Sequence, residues 1–146
     1  MSIMIGYEPL TINLIMDTED IIAANYEETS QFHHPMDIDW DMYKRLEDKF
    51  LAFTMRDDGF IVGILFFAVD SYPHIKSWKM AQQLTFYVSP AYRRYSLQMI
   101  KLSENYCKAN GIDIIIQSAR YGTGFCNVLD KKGYERADIT YTKRLN

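Results

Sequence analysis

The stretch Phe86-Tyr87-Val88-Ser89-Pro90-Ala91-Tyr92-Arg93-Arg94-Tyr95-Ser96-Leu97-Gln98 changes its period in the middle. Up to Val88 it continues a run from Met80 that is rich in strand formers, and Ser89-Pro90 ends that strand. From Tyr95 to Asn110 the apolar positions recur at helical spacing, and Gly111 stands where a glycine stop is expected. Ile112 to Ile116 follows as a short unbroken apolar run between turn signals, which suits a buried central strand. A strand, a tight turn, a helix and a second buried strand predict a parallel pair with a right-handed helical crossover.

Outward from this unit the chain reads in both directions. Asp58-Gly59 is a strong tight-turn signal between a strand at Phe50 to Met55 and its return at Phe60 to Val69. Asp70 to Lys76 holds Pro73 and reads as a loop. Leu10 to Met16 alternates, with Ile12, Leu14 and Met16 on one side, and reads as a first strand. Asp17 is positioned to cap a helix carrying Ile21, Ile22 and Tyr26, and Glu27 to Met36 is polar and irregular. Asp37 or Asp39 starts a second helix with Trp40, Tyr43 and Leu46. Phe125, Val128 and Leu129 mark a last short helix stopped by Gly133, and Tyr134 to Arg144 reads as a final strand. The sum is an α+β, three-layer chain: a mixed, mostly antiparallel sheet with helices on both faces and one parallel strand–helix–strand unit.

The 146 residues suit a single domain, 1–146, and 48% hydrophobic residues allow a continuous core. A net charge of −3 argues against nucleic-acid binding through a broadly basic surface. Apolar runs such as Phe60 to Val69 are too short to span a membrane, and Met1 to Pro9 has no signal-peptide pattern. Cys107 and Cys126 form neither a metal knuckle nor a disulfide framework and read as reduced thiols of a cytoplasmic protein. Oligomeric state is not readable from these features.

The segment from Phe86 to Arg94 resembles the fourth strand and following turn of the GNAT N-acetyltransferases. Leu129-Asp130-Lys131-Lys132-Gly133-Tyr134 is similar to that family's last helix and its Gly-aromatic ending. Trp40-Asp41-Met42-Tyr43, the strand pair around Asp58-Gly59 and Tyr72-Pro73-His74-Ile75-Lys76 look most like the small GNAT-like proteins of tailed phages, which implies a host cytoplasm. The resemblance implies acetyl-CoA as co-substrate, no metal, and an amine-bearing acceptor, small molecule or protein, attacking directly in a ternary complex. It also implies that the fourth strand, at Phe86, Tyr87 and Val88, pairs with the pantetheine arm, with the Val88 N–H on the thioester oxygen.

In the family the turn reads R/Q-x-x-G-x-G/A, and its N–H groups hold the pyrophosphate at a helix N-terminus. Here it reads Arg93-Arg94-Tyr95-Ser96-Leu97-Gln98. Arg93 matches; Ser96 and Gln98 stand in place of glycine, and the Gln98 side chain is large enough to fill phosphate space. Arg93 and Arg94 offer electrostatic compensation, or form a solvated surface turn. The family's tyrosine acid falls at Leu129, so Tyr121, just before the last helix, is the substitute by proximity, and His74 is the candidate base. Trp40, Tyr43, Tyr72, Asp37 and Asp39 would suit a cationic acceptor. The alternative is a catalytically inactive GNAT-like binding or structural protein of a phage, favoured by Ser96, Gln98 and Leu129.

Other patterns lead elsewhere. Asp37, Asp39 and Asp41 imitate a calcium loop, but Met42 stands where that loop needs glycine. His33-His34 has no ligand partner at helical spacing. There is no G-x-S-x-G, Walker loop or G-x-G-x-x-G.

Overall fold

A computed structural model describes residues 2–30, 32, 34–120 and 122–146. Its elements are β1 (Ile3–Glu8), α1 (Ile12–Thr29), α2 (Trp40–Arg45), β2 (Phe50–Asp57), β3 (Phe60–Tyr72), β4 (Ile75–Val88), α3 (Ser96–Ala109), β5 (Ile114–Ile116) and α4 (Gly124–Lys131), with a 3-10 turn at Pro90–Tyr95 leading into α3. The strands form one five-stranded sheet in the order β1-β2-β3-β4-β5. Neighbours are antiparallel except β4 and β5, which run parallel. The mixed sheet and its parallel unit, with α3 between β4 and β5, are as the sequence predicts.

The two sheet faces carry separate cores. On one, α1 buries Leu14, Ile21 and Ile22 against Phe50, Ile64, Phe66 and Tyr87. On the other, α3 buries Met99 and Cys107 against Phe53, Met55, Leu65, Phe67 and Val88. The sheet is held to α1 at its first strand by a polar cluster. Arg56 Nε and Nη2 donate to the Glu8 carboxylate at 2.9 and 3.0 Å, Arg56 Nη2 also reaches Asp17 at 3.3 Å, and the buried Thr54 hydroxyl donates to Glu8.

Four expectations are corrected. Leu10 to Met16 is not a strand: β1 lies earlier, and Thr11 caps α1 by accepting from the Leu14 N–H at 3.1 Å. Alternation over so few residues is shared by both periods, and the longer spacing Leu14, Thr18, Ile21, Ile22 decides for the helix, leaving Ile12 and Met16 exposed. Asp17 therefore sits inside α1, bound to Arg56, rather than capping it. Asp70 to Lys76 is mostly strand, because β3 and β4 run on to Tyr72 and from Ile75, and Pro73-His74 alone turns the chain. Residues 134–146 form no strand, and Ile139, Tyr141 and Leu145 are exposed: an alternating pattern makes a strand only where an edge pairs with it.

Asp39 does cap α2, through the Met42 N–H at 3.0 Å, and Asp58-Gly59 does turn the β2–β3 hairpin, with both residues at positive φ.

Candidate active site: a fork between two parallel strands

β4 and β5 pair only over Met80↔Ile114, Ala81↔Ile115 and Gln82↔Ile116. Beyond that point they part, and the Gln83 side chain sits at the junction, its Oε1 accepting from the Ser118 N–H at 3.0 Å. The rest of β4, through Val88, stays paired with β3 alone.

The direction of β4's free backbone groups follows from one extra residue. Before the fork, the Lys79 N–H and carbonyl both bond Asp113, so Lys79, Ala81 and Gln83 face β5. The register then slips: Phe67 pairs with Gln83 and Phe66 with Thr85, leaving Leu84 as a bulge. After the bulge the parity is reversed, and the Ser89 N–H donates to the Val62 carbonyl at 2.9 Å. By strand alternation, Thr85 and Tyr87 then bond toward β3, while the N–H groups of Phe86 and Val88 point into the gap that β5 has left. The Phe86 ring packs against Phe125 of α4, with centroids 4.8 Å apart. Gly63 lies opposite Val88 and gives it room: a Cβ there would meet Met55 Cβ at 3.1 Å and Val88 Cγ2 at 3.3 Å.

The fork opens toward the N-terminus of α3, which no side chain caps. The turn before it is anchored by Tyr92, whose hydroxyl donates to Asp57 Oδ2 at 2.6 Å and whose N–H donates to the Ser89 carbonyl at 2.8 Å. Ser96 is half-buried, and Leu97 and Gln98 are exposed. Arg94 lies over the Tyr95 ring, 4.8 Å from its centroid.

Arg93 goes to the opposite face. Its Nη2 donates to both carboxylate oxygens of Glu28 in α1, at 2.7 and 2.9 Å, and its Nε donates to the Val88 carbonyl at 2.9 Å. The Tyr87 hydroxyl donates to the same carboxylate at 2.9 Å. The hydrogen bonds from Arg93 and Tyr87 hold the Glu28 carboxyl below its ordinary range. Arg120, from the segment after β5, reaches the Thr29 carbonyl at 2.7 Å, so two arginines from opposite sides of the fork meet the end of α1.

Phe86, Val88, Arg94, Tyr95, Ser96, Leu97 and Gln98 thus follow one another along the end of β4 and the turn into α3, whereas the side chains of Tyr87 and Arg93 turn to Glu28 on the α1 face. The fork does not gather His74, which turns the far end of β4 beside Tyr72 and Trp78, roughly 40 Å of strand from Val88. Tyr121 and His33 lie outside the described residues. The aromatic set also divides: Trp40 and Tyr43 pack into the α1 face, whereas Tyr72 is at the hairpin tip. Glu28, Gln83, the Leu84 bulge and Arg120 were missed by sequence reasoning, since their partners lie far along the chain and no local pattern marks them.

A separate depression of about 590 Å³ lies by the C-terminal end of α3, lined by Glu104, Cys107, Ile112, Ile115 and Tyr134. Burial pushes the Tyr134 hydroxyl up to about 12 and the Cys107 thiol up to about 11, so neither ionises near neutrality. Among the described residues no group of three or more His, Cys, Asp or Glu side chains could hold a metal ion, and no helix is long and apolar enough to cross a membrane.

No family model matches this sequence, and no curated protein matches it. Solved structures do. An aminoglycoside acetyltransferase from an uncultured soil metagenomic sample superposes with a TM-score of 0.76 at 16% identity, covering 100% of both chains. A ribosomal-protein-alanine N-acetyltransferase from Brucella melitensis biovar Abortus 2308 gives 0.74 at 17% identity, over 100% of this chain and 99% of that one. AAC(6')-Iy, in complex with a bisubstrate analog of coenzyme A and acetylneamine, gives 0.67 at 16% identity, over 97% and 99%. At such identities the likeness establishes the architecture: this chain has the GNAT-like fold of N-acetyltransferases.

Proposed function

We propose that residues 1–146 form one acyl-CoA-binding domain that works as an acetyl-CoA-dependent N-acetyltransferase, acting on an amine of a small molecule or protein by direct attack in a ternary complex. The observation that carries this reading is the fork: β4 presents the Phe86 and Val88 N–H groups to a gap, and the gap runs to an uncapped helix N-terminus.

These residues fit the cofactor's chemistry. An extended amide-bearing arm finds unpaired strand N–H groups in the gap, and phosphate finds the first turn of α3 with two arginines in the preceding turn. Bound acetyl-CoA supplies an acetyl thioester. The Val88 N–H is the donor for its carbonyl oxygen, fixed in place by the Leu84 bulge and therefore preorganised. Tyr92 and Asp57 hold the turn that aims α3 at the gap.

The test is thiol release from acetyl-CoA with an aminoglycoside, glucosamine 6-phosphate and an alanine-ended peptide as separate acceptors. Release dependent on both protein and amine is expected. Val88→Pro removes the gap-facing N–H without breaking a β3 ladder bond, and is expected to lower the rate about 10²- to 10³-fold. A second reading, an inactive GNAT-like binding or structural protein, is favoured by Leu129, which is 8% exposed and packs as core where the family places its acid. Acetyl-CoA binding with no release to any amine would favour that reading.

A further inference from the structure

The turn that leads into α3 carries Arg93, yet its guanidinium lies on the α1 side, committed to Glu28 through two hydrogen bonds and to the Val88 carbonyl through a third. We propose that Glu28 is a positioning residue that holds Arg93 away from α3 and competes with the cofactor's phosphates for it. The inference rests on the acetyl-CoA reading above.

Glu28 lies in the last turn of α1, which holds no basic residue. A carboxylate there faces the negative end of the helix dipole and needs a cation from elsewhere. Arg93 supplies it, and the Tyr87 hydroxyl holds the carboxylate's second bond. The pair is nevertheless loosely held. The side chains of Arg93 and Glu28 are 48% and 45% exposed. An ion pair so open to water is screened and contributes little. A diphosphate at a helix N-terminus offers Arg93 more charge and a matching fork of acceptors. Arg93 lies in the turn three positions before Ser96, the first residue of α3.

The exchange would alter the fork as well as the turn. Arg93 Nε now occupies the Val88 carbonyl, on the residue whose N–H faces the gap. Its departure leaves that carbonyl free and leaves Glu28 with Tyr87 alone. Glu28 therefore sets the cofactor's affinity without touching it.

Calorimetric titration of coenzyme A into the wild type, Glu28→Gln, Glu28→Asp and the double variant Glu28→Gln/Arg93→Ala decides the matter. Glu28→Gln is expected to bind about two- to fivefold tighter, the size of an exposed ion pair. Glu28→Asp is expected to stay near the wild type, and the gain is expected to vanish when Arg93→Ala is added. Should Glu28→Gln fold poorly, Glu28→Ala removes the same carboxylate and is expected to shift affinity in the same direction. Equal binding by the wild type and Glu28→Gln, or a gain that survives Arg93→Ala, overturns the role of Glu28 and leaves the cofactor reading standing. No binding by any of the proteins overturns the cofactor reading itself.

Discussion

The Ser118 N–H donates to Gln83 Oε1 at 3.0 Å, at the point where β4 and β5 stop sharing backbone bonds. A side chain thus takes the place of the next ladder bond and ends the pairing without leaving that N–H unsatisfied. Gln83→Ala removes it. The expected cost is about 1 kcal/mol, or roughly 2–5 °C in Tm, with faster hydrogen exchange at the Ser118 amide. An unchanged Ser118 amide would mean that the junction is held by something else.

Gly63 gives the fork its second constraint. A methyl group there would stand 3.1 Å from Met55 Cβ and 3.3 Å from Val88 Cγ2, both in a packed core. Gly63→Ala is expected to destabilise by about 1–3 kcal/mol and to shift Val88. Thermal unfolding checks the first effect, and the Val88 amide resonance the second. A neutral substitution would show slack in β3 that the packing does not suggest.

The Glu8–Arg56 cluster gives a pH dependence. Burial raises the Glu8 pKa, but hydrogen bonds from Arg56 and Thr54 and the Arg56 charge outweigh it, so the folded value lies below the ordinary 4.5. The unfolded chain therefore binds a proton more readily. The cluster's contribution is fully present above about pH 5 and is lost as pH falls through the folded pKa. Arg56→Met is expected to cost about 1–3 kcal/mol at pH 7, because it leaves the half-buried Glu8 carboxylate with the Thr54 hydroxyl but no cation, and less at pH 3. Denaturant unfolding at the two pH values measures this, and equal losses at both would contradict it.

Gln98 stands where the GNAT motif that this turn resembles has glycine or alanine, yet its side chain is exposed at the first turn of α3. The double variant Ser96→Gly/Gln98→Gly is accordingly expected to leave coenzyme A affinity within about twofold, while costing roughly 1 kcal/mol of helix stability per glycine. Calorimetry and thermal melts check the two halves. Binding that appears only in the double variant would mean that Gln98 blocks the phosphate site.

The legible parts of the molecule were those specified by neighbouring residues. Asp58-Gly59 fixes a hairpin through its own backbone, Gly111 ends α3 at φ 75°, and the β4–α3–β5 unit follows from a change of period within one stretch. The illegible parts depend on distant partners. Alternation at Ile12, Leu14 and Met16 did not reveal that Thr11 caps a helix, and the pattern in residues 134–146 has no edge to pair with. For the candidate site, Arg93 was singled out through the resemblance of its turn, but its partner Glu28, 65 residues away, was not. The turn after β4 reads as a phosphate site only through its resemblance to the GNAT motif; its two arginines alone read equally as a solvated turn. The α1 carboxylate that competes for its arginine is visible only once the chain is folded.

On the function proposed above, acetyl-CoA enters the fork. The most direct measurement is an amide NMR titration of the protein with acetyl-CoA. Saturable shifts at Phe86, Val88, Leu97 and Gln98, with little change at Ile112 and Tyr134, are the expected result. No saturable shift at millimolar ligand, or shifts confined to the depression around Cys107, Ile112 and Tyr134, would contradict it.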